Sequence, residues 1–257
     1  MELQGHSPDF KDLFNDTRLE KRASLISQSL IMSRTSSVKG ATHDEAEQKG
    51  FYRFLDNEKV TEEILIKEMT SRCGANVIDR NVLVIQDSSS FGLSKLSKNK
   101  KENSGLGLVG NKTGTGFLTH CSLVLDADRG TMLGFSDVQL WNRTEDKSNN
   151  TTKVYKKQPI EEKESYKWIK ASHEAKSVLH SAQSLTIIQD REGDIYEQFC
   201  MIADNKTQLI IRNRDNRKLT DNEKLHETLS QVPSAGTYVI NITGDIRKDQ
   251  IKRKATL

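Results

Sequence analysis

Apolar residues recur every three or four positions along the N-terminal part of the chain, a spacing typical of amphipathic helices. The spacing predicts a first helix over residues 9–33. The capping-box pair Thr42 and Glu45 predicts the start of a second helix, and a third is predicted over residues 61–72. We therefore expect residues 1–75 to form a small all-helical domain.

Beyond residue 80 the helical spacing gives way to short apolar runs, which are typical of strands. Residues 81–86 (NVLVIQ) are nearly all apolar and predict a strand that is buried on both faces. Two further strands, over residues 117–125 and 132–138, are joined by a predicted hairpin turn. The remaining predicted elements are a helix over 161–182, a strand over 185–189, a helix over 195–203, a fifth strand over 208–212, a helix over 225–229 and a strand over 237–242.

The change of period divides the chain into two predicted domains, residues 1–75 and residues 76–257. In the second domain, the succession of strands and helices predicts an α/β fold with a mixed sheet flanked by helices. The segments 94–116 and 142–159 are strongly polar and are predicted to be loops.

Composition excludes several classes of protein. The apolar runs exclude a chain that is disordered throughout. No stretch approaches the roughly 20 consecutive apolar residues of a membrane-spanning helix, so we expect no membrane partner. The 3 cysteines are odd in number and include no CxxC pair, which argues against a disulfide framework or a cysteine-rich zinc site. We therefore expect a cytoplasmic protein.

The charges are more informative in their distribution than in their sum. Against 36 acidic residues there are 39 Lys and Arg, and a net charge of +3 indicates little about a partner. The basic residues cluster, however, at residues 95–101, 153–157 and 247–254. Each cluster alone is better explained as a solvated loop. Three of them in one chain favour a polyanionic partner such as nucleic acid.

Two of the predicted strands end in the same way, with a glutamine followed by an aspartate. If these strands lie side by side in parallel, Asp87 and Asp190 are about 4.8 Å apart. Two carboxylates at that separation repel by about 4 kcal/mol at an effective dielectric constant of about 20. A divalent cation, or protonation of one carboxylate, would relieve this repulsion.

Hard oxygen ligands on a rigid sheet suit Mg²⁺ or Mn²⁺, and such a site can catalyse phosphodiester cleavage. The alternative interpretation is that Asp87 begins a turn and Asp190 caps the following helix. The two residues alone favour neither interpretation.

Four short motifs, in order along the chain, resemble those of a known family. Residues 190–195 (DREGDI) and 162–168 (EKESYKW) are similar to the second-acid motif, and to the segment before it, in DDE transposases of the insertion-sequence-four family, transposon-five group. Residues 86–89 (QDSS) resemble the first-acid motif of that family. Residues 45–61 resemble its DNA-binding domain, with the signature YRF-x-x-N-x-x-V. The resemblance covers residues 9–257.

The resemblance implies a ribonuclease-H-like mixed sheet behind a helical DNA-binding domain, and cut-and-paste transposition. In that reaction water cleaves a phosphodiester at the transposon end, and the freed 3′-hydroxyl attacks target DNA. It implies that Asp87 and Asp190 are catalytic and bind Mg²⁺ or Mn²⁺. The implied partner is double-stranded DNA of the terminal repeats, bound by a synaptic dimer of the family.

Candidate DNA contacts are basic residues close to the motifs or interleaved in the first helix. They are Lys21, Arg22, Arg53 and Arg191. Arg191 is equally explained as a charge in the first turn of the helix that follows the second acid.

The chain departs from the family in one respect. It lacks the Y-x-x-R-x-x-x-E-x-x-x-K motif that supplies the third acid, and it ends where the family's β-rich insertion begins. The third acid and the dimerisation region are therefore expected to be absent. A cation held by two protein carboxylates should bind weakly, so we expect a C-terminally truncated transposase that is inactive alone. The alternative is a catalytically dead DNA-binding remnant; either is expected in the cytoplasm, on the nucleoid when bound to DNA.

Overall fold

The computed structural model describes residues 8–93, 105–109, 114–143, 158–220, 222–245 and 251–256. The chain divides into two compact units, one up to Asn213 and one from Arg214 onward. The basic clusters at residues 95–101 and 153–157 lie outside the described residues, as do residues 247–250 of the third cluster.

Three helices form the described N-terminal segment, as predicted: α1 (Thr17–Met32), α2 (Glu45–Leu55) and α3 (Glu62–Asn76). α1 begins later than the predicted residue 9, because Asp12 and Asn15 have positive φ angles of 61° and 52°, which a right-handed helix cannot contain. Asp16 then caps the helix by accepting a hydrogen bond from the Arg18 backbone N–H at 2.9 Å.

The N-terminal cap of α2 also differs from the prediction. Asp44, not Thr42, accepts a hydrogen bond from the Glu47 backbone N–H at 2.7 Å. Glu47 returns the contact, since its Oε2 accepts from the His43 backbone N–H at 2.8 Å. The capping box is therefore Asp44 with Glu47. The start of α3 after Thr61 is confirmed.

The first two helices share a buried, largely aromatic core. It consists of Phe10, Phe14, Ala23, Ile26, Phe51 and Phe54. The rings of Phe14 and Phe54 meet edge to face, with their centroids 5.8 Å apart. Such a pair adds about 0.5–1.5 kcal/mol to the stabilisation that comes from buried area, so the two helices are held together by contacts within this short segment.

A six-stranded mixed sheet follows the helices. Its strands are β1 (Asn81–Gly92), β2 (Gly107–Val109), β3 (Gly114–Asp126), β4 (Met132–Trp141), β5 (Ser184–Gln189) and β6 (Thr207–Ile211). β3 pairs antiparallel with β1, β2 and β4. On its other side β1 pairs parallel with β5, which pairs parallel with β6. The predicted mixed sheet is confirmed.

β1 is longer than the sequence predicts. The predicted strand ends at Gln86, whereas β1 continues to Gly92, which lies opposite Gly116 of β3. The polar residues after Gln86 stay extended because β3 pairs with their backbone N–H and C=O groups. Along residues 81–86, fully buried positions alternate with partly buried ones, so the strand is not fully buried on both faces as predicted.

Besides α3, two further helices flank the sheet, α4 (Tyr166–Val178) and α5 (Tyr196–Met201). α4 is shorter than the predicted range 161–182, because the segment before it forms a separate 3-10 turn, Ile160–Glu162. The buried core between sheet and helices consists of Cys73, Val77, Val82, Val84, Val124, Ile169, Ala175, Leu179, Ala182, Leu185, Ile187 and Ile202. The predicted domain boundary between residues 75 and 76 falls in the last turn of α3, and the end of this helix contributes to the core. The boundary stays a prediction.

The second unit contains α6 (Leu225–Gln231) and two antiparallel strands, β7 (Val239–Ile242) and β8 (Arg253–Thr256). α6 and β7 agree with the predicted elements. β8 was not predicted, because its sequence RKAT has no alternation of apolar residues. In the described ranges of either unit, no helix is long and apolar enough to cross a membrane.

Gly134 of β4 lies against Cys73 of α3 and offers a test of how closely this helix packs on the sheet. Its φ angle is +143°, and a Cβ atom built there would lie 2.9 Å from Cys73 Cβ. We expect Gly134→Ala to lower the free energy of unfolding by about 1–3 kcal/mol, as overpacked cores do, when measured by urea denaturation. Gly92→Ala is the matched control, since a Cβ there meets nothing within 4 Å. Equal losses in the two variants would contradict the prediction.

Candidate functional site

The strands that carry the two aspartates lie side by side in parallel, so the predicted pairing is confirmed. Their register ends with Ile85 opposite Ile188. In each strand the next residue is a glutamine, and the one after it is the aspartate, Asp87 or Asp190. Parallel neighbouring strands share their C-terminal ends, so the structure brings both aspartates to one end of the pair.

Both aspartates are exposed, and each uses one carboxylate oxygen locally. Asp87 Oδ1 accepts a hydrogen bond from the Ser88 backbone N–H, and Asp190 Oδ1 accepts one from the Glu192 backbone N–H, each at 2.8 Å. Asp190 thereby caps the 3-10 turn Arg191–Gly193, which confirms that it has a capping role. Asp87 does not begin a turn, because β1 continues through it.

The donor chemistry of this pair fits a hard divalent cation. Mg²⁺ is commonly bound through one or two carboxylates and completes its coordination with water and substrate phosphate oxygens. These local hydrogen bonds leave one oxygen of each carboxylate without a hydrogen bond from the part of the chain that the structure describes. Within the same part, no group of three or more Asp, Glu, His or Cys residues that could hold a metal occurs. Mg²⁺ or Mn²⁺ at this position would therefore take most of its ligands from water and substrate.

A buried polar layer lies on the opposite face of the two strands. Gln86 and Gln189 alternate with the aspartates, and Gln189 Nε2 donates a hydrogen bond to Gln86 Oε1 at 2.7 Å. Ser172 Oγ of α4 accepts from Gln189 Nε2 at 3.3 Å and from Gln198 Nε2 of α5 at 2.7 Å. None of these four side chains is more than 4% exposed. Sequence reasoning missed this layer, although a glutamine before each acid was its signal.

His120 of β3 continues the polar layer past β1. Its Nδ1 lies 2.9 Å from Ser88 Oγ, and its ring packs edge to face against Trp168, with the centroids 4.4 Å apart. The side chain is fully buried, and its Nε2 has no hydrogen-bond partner among the described residues. Burial, with a smaller contribution from the positive charge of Lys167, lowers the pKa of His120 to about 4.

Lys167 of α4 connects two of the motifs recognised in the sequence. Its Nζ lies 3.6 Å from Glu192 Oε2, in the DREGDI motif, and 3.9 Å from Glu164 Oε1, in the EKESYKW segment. The same atom lies 5.4 Å and 5.9 Å from the ring centroids of Trp141 and Trp168. This charge links the turn after Asp190 to the start of α4, a role that sequence reasoning did not assign.

The four basic residues named as candidate DNA contacts lie in different places. Lys21 and Arg22 are on α1, Arg53 is in the last turn of α2, and Arg191 follows β5. Lys21, Arg53 and Arg191 are exposed. Arg22 is half-buried, with its Nη1 3.1 Å from where a Cβ on Gly50 of α2 would be. Arg22 therefore packs between α1 and α2, a structural role that the sequence did not indicate.

Comparison with known proteins gives two findings. Residues 10–60 match the protein family described as Transposase DNA-binding, a segment that contains α1, α2 and their aromatic core. A cryo-EM structure of a piggyBac transposase synaptic complex with hairpin DNA is similar over 93% of this chain and 50% of that chain, with 11% sequence identity and a TM-score of 0.40. The chain thus spans about half the length of that transposase.

The lowered pKa of His120 predicts how stability depends on pH. Its ordinary value is 6.5 and its value in the folded protein is about 4, so the unfolded chain binds the proton first as the pH falls. As the pH falls from 6.5 to about 4, we expect protonation of this residue in the unfolded chain to lower the free energy of unfolding by about 3 kcal/mol. Above pH 6.5 we expect no such effect. Urea unfolding of the wild type and of His120→Asn across the window measures the contribution. The same pH slope in both proteins would show that the prediction is wrong.

Proposed function

We propose that this chain is a DNA transposase whose N-terminal helices bind double-stranded DNA at the ends of a transposon. The observation that carries the proposal is the match of residues 10–60 to the family of transposase DNA-binding domains. The exposed side chains of Lys21 and Arg53 lie on the matched helices, and cations there suit the phosphates of a DNA backbone.

We infer, more narrowly, a DDE transposase of the insertion-sequence-four family, transposon-five group, with a ribonuclease-H-like domain. The DREGDI and EKESYKW motifs support this assignment, since Lys167 joins them by charge in the fold. The strand order supports it too. The antiparallel strands β4, β3 and β1 are followed by the parallel strands β5 and β6, and the first aspartate is on the central strand β1.

In the proposed reaction Asp87 and Asp190 would hold Mg²⁺ or Mn²⁺ through their carboxylates. A bound cation supplies activation of the attacking water and stabilisation of the leaving oxygen of the phosphodiester. The chain contributes two carboxylates on neighbouring strands. The hydrogen bond from the Glu192 backbone N–H restricts the rotation of the Asp190 carboxylate, so that its second oxygen keeps one direction.

A second candidate function is DNA binding without cleavage. Among the described residues the candidate site contains two carboxylates, and the sequence has no Y-x-x-R-x-x-x-E-x-x-x-K motif to supply a third. Coordination through Asp87 and Asp190 alone leaves the attacking water and the leaving oxygen poorly held. We therefore infer that this chain alone binds DNA and does not cut it.

Binding to duplex DNA of mixed sequence, followed by fluorescence anisotropy at increasing salt, tests the DNA-binding function. Each phosphate that the protein neutralises adds about −0.9 to the slope of log affinity against log salt. We expect the double variant Lys21→Gln/Arg53→Gln to bind more weakly and to lose about 1.8 from the magnitude of this slope. Arg129→Gln is the matched control, because Arg129 is an exposed cation in the turn between β3 and β4, at the far end of β1 from Asp87. An unchanged slope in the double variant would remove these residues from the interface.

A cleavage assay distinguishes the two candidate functions. We expect the chain alone, with Mn²⁺ and duplex DNA that carries the terminal repeats, to give no cleaved product, because the described residues bring two carboxylates, and no third one, to the site. Product formation that is lost in Asp87→Asn would instead assign complete nuclease activity to this chain.

A further inference from the structure

We propose that Gln86 and Gln189 are positioning residues that hold the two aspartates at a constant separation. The inference rests on the proposed function, in which Asp87 and Asp190 bind a divalent cation. The observation that carries it is the direct hydrogen bond between the two amide side chains, in which Gln189 Nε2 donates to Gln86 Oε1 at 2.7 Å.

The hydrogen bond between the Gln86 and Gln189 side chains lies just beyond the last backbone pair of β1 and β5. The last paired residues are Ile85 and Ile188. Beyond this pair β5 turns into the 3-10 turn Arg191–Gly193, whereas β1 continues along β3. The backbone pairing therefore ends before the aspartates, and the hydrogen bond between Gln86 and Gln189 links the two strands one residue before them.

The glutamine pair is anchored to both flanking helices through Ser172. Ser172 Oγ accepts from Gln189 Nε2 at 3.3 Å and from Gln198 Nε2 at 2.7 Å, and it donates to the Trp168 backbone carbonyl at 2.8 Å. All of these polar side chains are buried, so solvent does not compete for the hydrogen bonds. A shift of either strand end relative to α4 would break at least one of them.

Because Gly193 of the DREGDI motif has no side chain, the Gln189 side chain can lie directly against it. A Cβ atom at Gly193 would lie 2.8 Å from Gln189 Cβ and 2.9 Å from its Cδ, and closer still to Oε1. Real Cβ atoms do not approach other atoms so closely, so any larger residue at this position must displace the Gln189 side chain. The absence of a side chain at Gly193 is therefore explained by the position of the Gln189 side chain.

The network is not the most stable way to fill this space. Gln189 Oε1 and Gln198 Oε1 are buried and have no hydrogen-bond partner among the described residues. A buried hydrogen-bond acceptor without a partner lowers the stability of the fold. Replacement of both members of a buried hydrogen-bonded pair by apolar side chains of the same shape is nearly neutral or stabilising. Positioning of the strand ends accounts for the amides better than stability does.

The test is the double variant Gln86→Met/Gln189→Met, which keeps the length of both side chains and removes the hydrogen bond between the two amides. We expect the affinity of the full chain for Mn²⁺ alone, measured by electron paramagnetic resonance of the free ion, to fall about tenfold, as when outer-shell partners of metal ligands are removed. We expect the melting temperature to stay the same or to rise. Because the affinity falls without a loss of thermal stability, a positioning role is separated from a structural one.

Two further variants make the test specific. Gln139→Met is the matched control, because Gln139 Nε2, like Gln189 Nε2, donates two hydrogen bonds, but from β4. Its acceptors are Asp137 Oδ2 at 2.9 Å and the Lys167 carbonyl at 3.0 Å. This variant should bind Mn²⁺ like the wild type. Gly193→Ala keeps both glutamines and displaces Gln189, so it should weaken Mn²⁺ binding as the double variant does.

The outcomes distinguish this inference from the proposed function. If Asp87→Asn abolishes Mn²⁺ binding while the double variant and Gly193→Ala bind like the wild type, the inference is overturned and the proposed site stands. If the wild type binds no Mn²⁺, or Asp87→Asn binds it equally well, the proposed metal site is wrong and the inference fails with it. A loss of affinity that accompanies a matching loss of thermal stability in both variants would show a structural role and would also overturn the inference.

Discussion

The parallel pairing of β1 with β5 is the interaction on which the candidate site depends. Gln86 and Gln189 are 103 residues apart in the sequence, so no local preference brings them together. Parallel strands require a crossover connection, which here includes the antiparallel strands β3 and β4 and the helix α4. The buried side chains of β1 and β5 pack under α4, and this core determines the register. Once the register is determined, both aspartates lie at the same end of the pair of strands.

A feature of the fold or of the candidate site could be predicted from the sequence where the residues that determine it are neighbours along the chain. The repeated run of apolar residues, glutamine and aspartate predicted the presence of β1 and β5 and the end of β5, because a buried strand and the polar residue that follows it are neighbours in sequence. The start of α1 could not be predicted from periodicity, since Phe10 and Phe14 have helical spacing but reach the core from a non-helical segment. The end of β1 was also missed. The polar residues after Asp87 are extended because β3 pairs with them, and that pairing is not visible in their own sequence.

The polar layer beneath the aspartates shows a different limit of sequence reasoning. A glutamine at the end of an apolar run is normally taken as the point where the strand meets solvent, yet Gln86 and Gln189 are among the most buried polar residues of the described chain. Their burial follows from alternation, because a residue next to an exposed aspartate points to the opposite face of the strand. Buried amides that bond to each other permit one relative position of the two strands, whereas apolar side chains would permit several. Gln86 and Gln189 thus belong to the buried layer of the fold and, in our inference, also hold Asp87 and Asp190 at a constant separation.

Helix α3 connects the segment that matches the DNA-binding family to the sheet that carries the aspartates. Near its middle, Glu68 Oε1 accepts hydrogen bonds from the Asp9 backbone N–H at 3.1 Å and from Arg72 Nε at 2.9 Å. At its end, Asn76 Nδ2 donates to the Leu133 carbonyl of β4 at 3.1 Å. The helix has 15 residues and is about 22 Å long, and it is anchored at both places within one compact unit. The rigid helix therefore fixes the distance between the segment that matches the family of transposase DNA-binding domains and the sheet that carries Asp87 and Asp190, whereas a flexible linker would not.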